Sequence, residues 1–139
     1  MKEVKFYEAA EDGLLKFAVI VSRSGGKWVF CRHRERSTLE IPGGHREPGE
    51  RVEETAAREL REETGAKEFT LRPVCAYSVV QDAGESFGRL YYAEISSFEP
   101  LHSEIEEIFL LEVPPEDGWT YPEIKPALLA EACRRGVVL

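Results

Sequence analysis

The sequence lacks any long hydrophobic run. Its 139 residues contain no apolar stretch approaching the roughly 20 residues that a membrane span needs. Residues 1–15 alternate charged and apolar positions and show no basic head followed by an apolar stretch, so no secretory signal is recognised. We therefore expect no membrane association and a cytoplasmic location.

Cysteine is scarce, and no segment has the composition of a linker. Cys31, Cys75 and Cys133 are odd in number and form no CxxC pair, so the sequence predicts reduced thiols and neither a disulfide framework nor a zinc site. No repeat and no Pro/Gly/Ser-rich linker divides the chain. We expect one domain over residues 1–139, a length that can bury its own core.

Positive charge is also in deficit. The chain has 18 Lys and Arg residues against 26 Asp and Glu residues, a net charge of −8. This balance argues against a protein that grips a nucleic-acid polymer through its general field. An acidic protein that handles a polyphosphate needs cations between itself and the substrate, so any phosphate chemistry here is expected to be metal-assisted.

Hydrophobic patterning predicts strands both before and after the first helix of the chain. The predicted strands are residues 4–8, 14–22, 27–33, 70–80, 87–97 and 108–113, and the second and third read as a hairpin. Helical spacing predicts a helix over residues 50–64 that ends at Gly65, and a second from an N-cap at Thr120 to Arg135. This order predicts an α/β (α+β) layered domain with a mixed sheet covered by helices.

Three carboxylates lie on one face of the first predicted helix. Glu59, Glu62 and Glu63 stand at positions i, i+3 and i+4, where like charges repel unless a cation offsets them. Oxygen ligands select hard metals such as Mg²⁺ or Mn²⁺. The alternative is a solvated helix face whose ion pairs come from Arg58 and Arg61. The helix by itself leaves both interpretations open.

A glycine-bearing loop before this helix decides between them. The segment resembles the Nudix box, G-x5-E-x7-R-E-U-x-E-E-x-G-U with U a bulky aliphatic residue, over residues 44–66. The matching residues are Gly44, Glu50, Arg58, Glu59, Leu60, Glu62, Glu63 and Gly65. Only Ala66 departs from the pattern, because it is smaller than the usual aliphatic residue.

The resemblance implies a fold and a set of site residues. In the Nudix family the box is a loop–helix–loop unit set in an α/β/α sandwich with a central mixed sheet. By resemblance, Mg²⁺ (or Mn²⁺) is bound by the Gly43 carbonyl and by the matching glutamates, and Glu50 makes a weaker or indirect contact. The metal glutamates are Glu59, Glu62 and Glu63. Glu62, Glu63 and Arg58 are the predicted catalytic residues, with Arg58 holding a box glutamate in place.

The resemblance also implies hydrolysis of a pyrophosphate bond in a nucleoside diphosphate linked to another moiety. A nucleoside triphosphate or an oxidised nucleotide is the first expectation, because the chain is short and MutT-like. Nucleotide sugars, dinucleoside polyphosphates and a non-catalytic nucleotide-binding role stay open as alternatives. We expect a small-molecule partner and no nucleic-acid polymer, and a homodimer stays open because it is the commonest oligomer.

Residues outside the box supply weaker candidates. Glu107 and Glu104 are candidate proton acceptors. The alternative is that they belong to an exposed acidic loop. Arg32 and Arg34, in a local basic cluster with Arg36, are candidate phosphate contacts, or ordinary exposed cations. Four aromatic residues that could stack on a base are expected in the core instead, namely Trp28, Tyr77, Phe87 and Tyr91. Two histidines that could touch substrate are expected on the surface, namely His33 and His45.

Overall fold

Over residues 2–100 and 105–136, which the structure describes, the computed structural model has seven strands, one 3₁₀ turn and two α-helices. The elements are β1 (Glu3–Tyr7), the 3₁₀ turn (Asp12–Leu14), β2 (Leu15–Ser24), β3 (Lys27–His33), β4 (Gly43–His45), α1 (Val52–Thr64), β5 (Ala66–Gln81), β6 (Gly84–Phe98), β7 (Ile105–Leu111) and α2 (Lys125–Arg134). Neither helix in these two ranges is long and apolar enough to cross a membrane.

The strands form one mixed sheet in the order β1-β5-β6-β2-β3-β7, with β4 paired to β2 off this path. β2 runs parallel to β6, and the other pairings are antiparallel. Because side chains alternate along a strand, Ala18 and Ile20 pack with α1 on one face, whereas Val19 and Val21 pack with α2 on the other. The predicted layered fold, with a helix on each face of a mixed sheet, is confirmed.

The predicted hairpin between the second and third strands is confirmed. Arg23 pairs with Trp28 and Ser24 with Lys27, so only Gly25 and Gly26 make the turn. Their φ angles of 58° and 80° are the left-handed values that a tight hairpin turn requires and that glycine adopts without steric cost.

The sheet splits beyond this hairpin, where β4 is a strand that the sequence did not predict. Gly43 pairs with Val19 of β2, while Cys31 of β3 forms a bridge with Glu40 instead of with β2. Residues 40–45 therefore lie between β2 and β3 beyond the hairpin. This arrangement places the box loop directly against β2.

Helix α1 begins two residues later than predicted and ends where predicted. Arg51 is the N-cap, and its N–H donates to the Glu54 carboxylate at 2.8 Å. Glu50 therefore lies in the preceding loop, where its N–H donates to the Glu47 carbonyl at 3.0 Å. Gly65 is the C-cap, with a φ of 75°. Strand β5 then starts at once at Ala66, four residues before the predicted strand, because the helix cap turns the chain directly into the sheet.

The predicted start of the second helix at Thr120 is wrong. The Thr120 N–H donates to the Leu39 carbonyl at 2.9 Å, and its hydroxyl lies 2.6 Å from that of Thr38. These bonds commit the backbone to an extended pairing, so α2 has Ile124 as its N-cap and begins at Lys125. Its apolar residues pack against the sheet face opposite α1.

Candidate active site

Two adjacent glycines let the box loop lie against the sheet and against α1. A Cβ on Gly43 would lie 2.7 Å from the Ala18 carbonyl oxygen, and a Cβ on Gly44 would lie 2.5 Å from the Glu59 carboxylate. Neither position can hold a larger residue without displacing its neighbour. The close approach of backbone and carboxylate thus follows from the two glycines.

Arg58 joins the box glutamates to one another. Its Nε and Nη2 donate to the two carboxylate oxygens of Glu50 at 2.8 and 3.1 Å. Its Nη1 donates to Glu59 at 2.6 Å and to Glu62 at 3.1 Å. Nη2 also donates to the His45 carbonyl at 3.0 Å. One planar guanidinium therefore fixes three carboxylates and the loop.

Both oxygens of Glu50 are used inside the protein. Besides Arg58, Glu50 accepts hydrogen bonds from the Glu47 N–H at 3.0 Å and the Thr55 hydroxyl at 2.7 Å. The hydrogen bonds from Arg58 are the main reason that the pKa of Glu50 falls to about 2. Glu50 therefore supports the loop and Arg58, in line with the indirect role that the resemblance implies.

Glu59 and Glu62 differ in their surroundings. The Glu59 side chain is 14% exposed and that of Glu62 is 49% exposed. Burial, and next the charge of Glu63, raise the pKa of Glu59 to about 7 although Arg58 opposes the change. Glu59 therefore gains its negative charge at a higher pH than an ordinary glutamate does.

Glu63 is held by both the box loop and β3. Its Oε1 accepts the Gly43 N–H at 2.7 Å, and its Oε2 lies 2.8 Å from His33 Nε2. The bond to Glu63 raises the pKa of His33. His33 is thus a candidate site residue rather than the simple surface histidine that the sequence favoured, and no local pattern in the sequence marked it.

The donor set fits a hard divalent cation. Glu59, Glu62 and Glu63 offer carboxylate oxygens, the ligands that Mg²⁺ and Mn²⁺ prefer. Burial first, and then the charges of Glu63 and Glu62, raise the pKa of Glu59, so Arg58 only partly offsets the repulsion among these carboxylates. A bound cation would relieve that repulsion, so these residues are the ones that could hold it. The Gly43 carbonyl stays a predicted ligand.

A cavity of about 690 Å³ adjoins the box. Glu63, Gly43 and Gly44 of the box line it, together with Tyr77 and residues near the start of α2. Its lining also includes Phe17, Val19, His33, Arg34, Glu35, Arg36, Glu40, His45, Val79, Gln81, Ser86, Tyr121, Ile124 and Lys125. The cavity thus brings cations, aromatic rings and a box glutamate together.

The predicted residues outside the box meet this cavity unequally. Among the described residues that line it are Arg34 and the neighbouring Arg36, but not Arg32 or Glu107. Arg32 and Glu107 instead pair with each other across β3 and β7 at 3.2 Å. Glu104 lies outside the described residues, so its assignment stays a prediction.

Lys125 is a site residue that sequence reasoning missed. Its side chain is buried, and its Nζ donates to the Ile41 carbonyl at 3.0 Å, just before the box loop. Burial lowers the pKa of Lys125, while Glu63 and Glu40 favour its charged form. Because it lies about 60 residues beyond the box and its neighbours have no shared pattern, the sequence offered no signal for this contact.

Comparisons with known proteins give consistent results. Residues 14–126 match the family described as "NUDIX domain". The chain is 38% identical over 84 residues to the Bacillus subtilis protein named "Putative 8-oxo-dGTP diphosphatase YtkD", covering 60% of this chain and 52% of that protein. It is 33% identical over 100 residues to the ADP-ribose pyrophosphatase of the same organism, covering 69% and 54%. The chain spans about half the length of these two relatives.

A solved structure is similar over nearly the whole chain. The crystal structure of the Bacillus subtilis pyrophosphohydrolase BsRppH (E68A mutant) superposes with a TM-score of 0.79 at 26% identity. The match covers 98% of this chain and 93% of that one. The likeness therefore includes both helices and the sheet as well as the box.

Proposed function

The chain belongs to the Nudix family, and from that premise we propose that it hydrolyses a pyrophosphate bond in a nucleoside diphosphate linked to another moiety. The observation that carries the proposal is that Arg58 holds Glu59 and Glu62 while the glycine loop holds Glu63, which lines a cavity. The cavity has a volume of about 690 Å³, which lies within the roughly 300–1,000 Å³ of small-molecule sites.

We propose Mg²⁺, or Mn²⁺, as the cofactor, held by Glu59, Glu62, Glu63 and the Gly43 carbonyl. When bound, such a cation neutralises phosphate oxygens and activates water for attack on phosphorus. The chain's net charge of −8 supports this requirement, because an acidic surface alone would repel a polyphosphate.

The protein groups keep the carboxylates in place for this chemistry. Arg58 orients Glu59 and Glu62, so neither carboxylate has to be reorganised when substrate arrives. Glu63 is oriented from the other side by the Gly43 N–H. Arg58 thus acts as a positioning residue, and we propose that Glu62 and Glu63 act at the reacting phosphate.

Glu107 is the proton acceptor proposed from sequence. Its side chain is 52% exposed and pairs with Arg32, and it has to leave that ion pair to reach a substrate in the cavity. We therefore include Glu107→Gln in the tests below. Retained turnover in that variant would remove Glu107 from the mechanism while leaving the box carboxylates in it.

A nucleoside triphosphate or an oxidised nucleotide is the first proposed substrate. The support is the 38% identity to the relative named for 8-oxo-dGTP, a short chain, and a cavity that combines Arg34 with the aromatic rings of Phe17 and Tyr77. Arg side chains suit phosphate oxygens, and aromatic rings suit a base. Cleavage with water would give a nucleoside monophosphate and pyrophosphate.

ADP-ribose or another nucleotide sugar is the second candidate. It is favoured by the 33% identity to the relative named ADP-ribose pyrophosphatase. Hydrolysis would then give two monophosphates and no pyrophosphate.

A cytoplasmic location and a homodimer stay predictions, which cell fractionation and light scattering would check.

The test is a substrate panel with Mg²⁺, in which products are separated by chromatography. The panel holds a deoxynucleoside triphosphate, 8-oxo-dGTP, ADP-ribose, a nucleotide sugar and a dinucleoside polyphosphate. We expect the wild type to cleave at least one, and Glu62→Gln and Glu63→Gln to lower kcat about 100-fold or more. Glu53→Gln is the matched control, because Glu53 lies on α1 in an exposed pair with Arg51.

Two outcomes would contradict the proposal. One is a wild type that releases no product from any compound, while calorimetry shows that it binds one of them; this would favour the non-catalytic nucleotide-binding alternative. The other is undiminished turnover in both glutamine variants. The identity of the product then separates the two substrate candidates, because only the first releases pyrophosphate.

A further inference from the structure

A sulfur, a nitrogen and an oxygen donor converge at the buried end of the candidate site. The ligand atoms of Cys31, His33 and Glu63 all lie within 4.8 Å of one another. We infer that these three residues bind a borderline-soft divalent cation, Zn²⁺ or Co²⁺, at a site that shares only Glu63 with the oxygen-only ligand set of the box. We call this group the Cys–His–Glu cluster.

The fold explains why the three residues meet. Cys31 and His33 are two residues apart on β3, so their side chains point to the same face of the sheet. Glu63 comes to that face from the last turn of α1, where its Oε2 lies 2.8 Å from His33 Nε2. A Cys and a His that are unremarkable in sequence thus share a position with a box glutamate.

The donor chemistry selects a different metal from the one proposed for hydrolysis. Thiolate and imidazole ligands favour Zn²⁺ and Co²⁺, whereas Mg²⁺ is bound by oxygen. Zn–S bonds of about 2.3 Å and Zn–N bonds of about 2.0–2.1 Å put tetrahedral ligand atoms about 3.3–3.8 Å apart. The cluster, at up to 4.8 Å, needs shifts of about 1 Å to reach that geometry.

The cluster has an entry path and a fourth donor. His33, Glu63 and Glu40 line the cavity, and Cys31 lies behind them with no exposed surface. The Glu40 Oε2 lies 3.5 Å from His33 Nε2, so it can complete a tetrahedral site that water would otherwise complete from the cavity. An ion therefore enters from the cavity side.

The charges balance when the ion binds. The Cys31 thiol loses its proton to solvent, His33 uses the lone pair of neutral Nε2, and Glu63 exchanges its bond to His33 for a bond to the ion. Thiolate and carboxylate then neutralise the divalent charge. Of the two other charged groups that act on Cys31, Glu40 disfavours the thiolate and Lys125 favours it.

Zinc binding at the cluster would lower activity, an expectation that rests on the proposed function. Zn²⁺ in the cluster would occupy Glu63 and remove it from the Mg²⁺ ligand set. The soft cation is therefore expected to inhibit hydrolysis even when Mg²⁺ is abundant. The cluster would make the enzyme sensitive to free zinc.

Cobalt(II) is the probe for the site, because a thiolate ligand gives Co²⁺ an intense near-ultraviolet charge-transfer band. The full chain, with reduced thiols, is titrated with Co²⁺ and its absorption recorded. We expect one equivalent to produce the band and Zn²⁺ to remove it. Cys31→Ala should abolish the band, whereas Cys133→Ser should keep it, because Cys133 is an exposed thiol outside the cluster.

A second variant protects the test against misfolding. If Cys31→Ala fails to fold by circular dichroism, the near-isosteric Cys31→Ser replaces it. The site is overturned if the wild type shows no band, if the band persists without Cys31, or if Cys133→Ser loses it.

Zinc inhibition is measured separately, as the ratio of each protein's turnover with and without Zn²⁺ at saturating Mg²⁺. We expect the wild type to be at least about tenfold more sensitive than the Cys31 variant. A cobalt band with no hydrolysis of any substrate would uphold the cluster and reject the proposed function. Hydrolysis with no band would do the reverse.

Discussion

Glu63 accepts a hydrogen bond from the backbone N–H of Gly43 at 2.7 Å, and this contact joins the box loop to the end of α1 across 20 residues of sequence. A charged acceptor makes the bond stronger than one between neutral groups. Because the other Glu63 oxygen faces His33 of β3, one side chain ties three segments of the site together. The geometry of the carboxylates thus depends on the loop as much as on the helix.

Gly44→Ala is expected to disturb the metal carboxylates without unfolding the protein. The new Cβ would lie 2.5 Å from the Glu59 carboxylate, which has to move. We expect the Mg²⁺ concentration for half-maximal activity to rise at least about tenfold, as when the support of a metal ligand is lost. Gly13→Ala is the control, because nothing lies within 4 Å of a Cβ there. Equal Mg²⁺ dependence in both variants would contradict the prediction.

Arg58→Lys is expected to lower kcat about 10- to 100-fold although it keeps the positive charge. A lysine cannot make the two parallel bonds to Glu50 and reach Glu59 as well. Steady-state kinetics would show the loss in kcat rather than in KM. Arg61→Lys, on the exposed face of the same helix, should leave both constants unchanged. A similar loss in the Arg61 variant would mean that helix stability explains the effect.

The stability of the metal-free protein should depend on pH through Glu59. Its pKa rises from an ordinary 4.5 to about 7 in the folded state. Between these values the folded protein holds a proton that the unfolded chain has lost, so the free energy of unfolding falls as pH rises and levels off above pH 7. The loss is on the order of 2–3 kcal/mol.

Glu59→Gln removes this titration, so urea unfolding of the two proteins with a chelator present would measure it. The stability of the variant relative to the wild type should increase between pH 4.5 and 7. Saturating Mg²⁺ should reduce the increase, because the cation stabilises the ionised carboxylate. A difference that is the same at every pH would refute the assignment.

Gly88→Ala should affect substrate binding and spare the metal site. A Cβ at this position of β6 would lie 2.7 Å from the ring of Tyr77, which lines the cavity. The ring has to move, and because it lines the cavity we expect KM to rise several-fold with kcat within about twofold of wild type. An unchanged KM for every cleaved compound would show that substrate does not contact this wall.

Periodicity and turn residues were enough to predict most of the fold. The β2–β3 hairpin and the end of α1 were predicted because Gly25, Gly26 and Gly65 adopt conformations that few other residues tolerate. The start of α2 was not, since Thr120 has the side chain of an N-cap but its N–H is bonded to Leu39. A local signal was overruled by a pairing 81 residues distant in sequence.

The candidate site divides along the same line. The box residues were recognisable because they occupy fixed spacings on one loop and one helix. Glu40 reaches the site because the sheet splits between β2 and β3, and Lys125 reaches it from the start of α2. No residue spacing in the sequence predicts either contact. Arg32 and Glu107 looked equivalent to the cavity residues in sequence, but cross-strand pairing directs them to each other.

The lining of the cavity comes from separate parts of the chain. The box loop and α1 supply Gly43, Gly44 and Glu63, whereas Tyr121, Ile124 and Lys125 belong to the start of α2 and the segment before it. A mutation in the second group can therefore alter which molecule fits without changing a proposed metal ligand. This separation would let selection change the substrate preference while the proposed hydrolytic chemistry is kept.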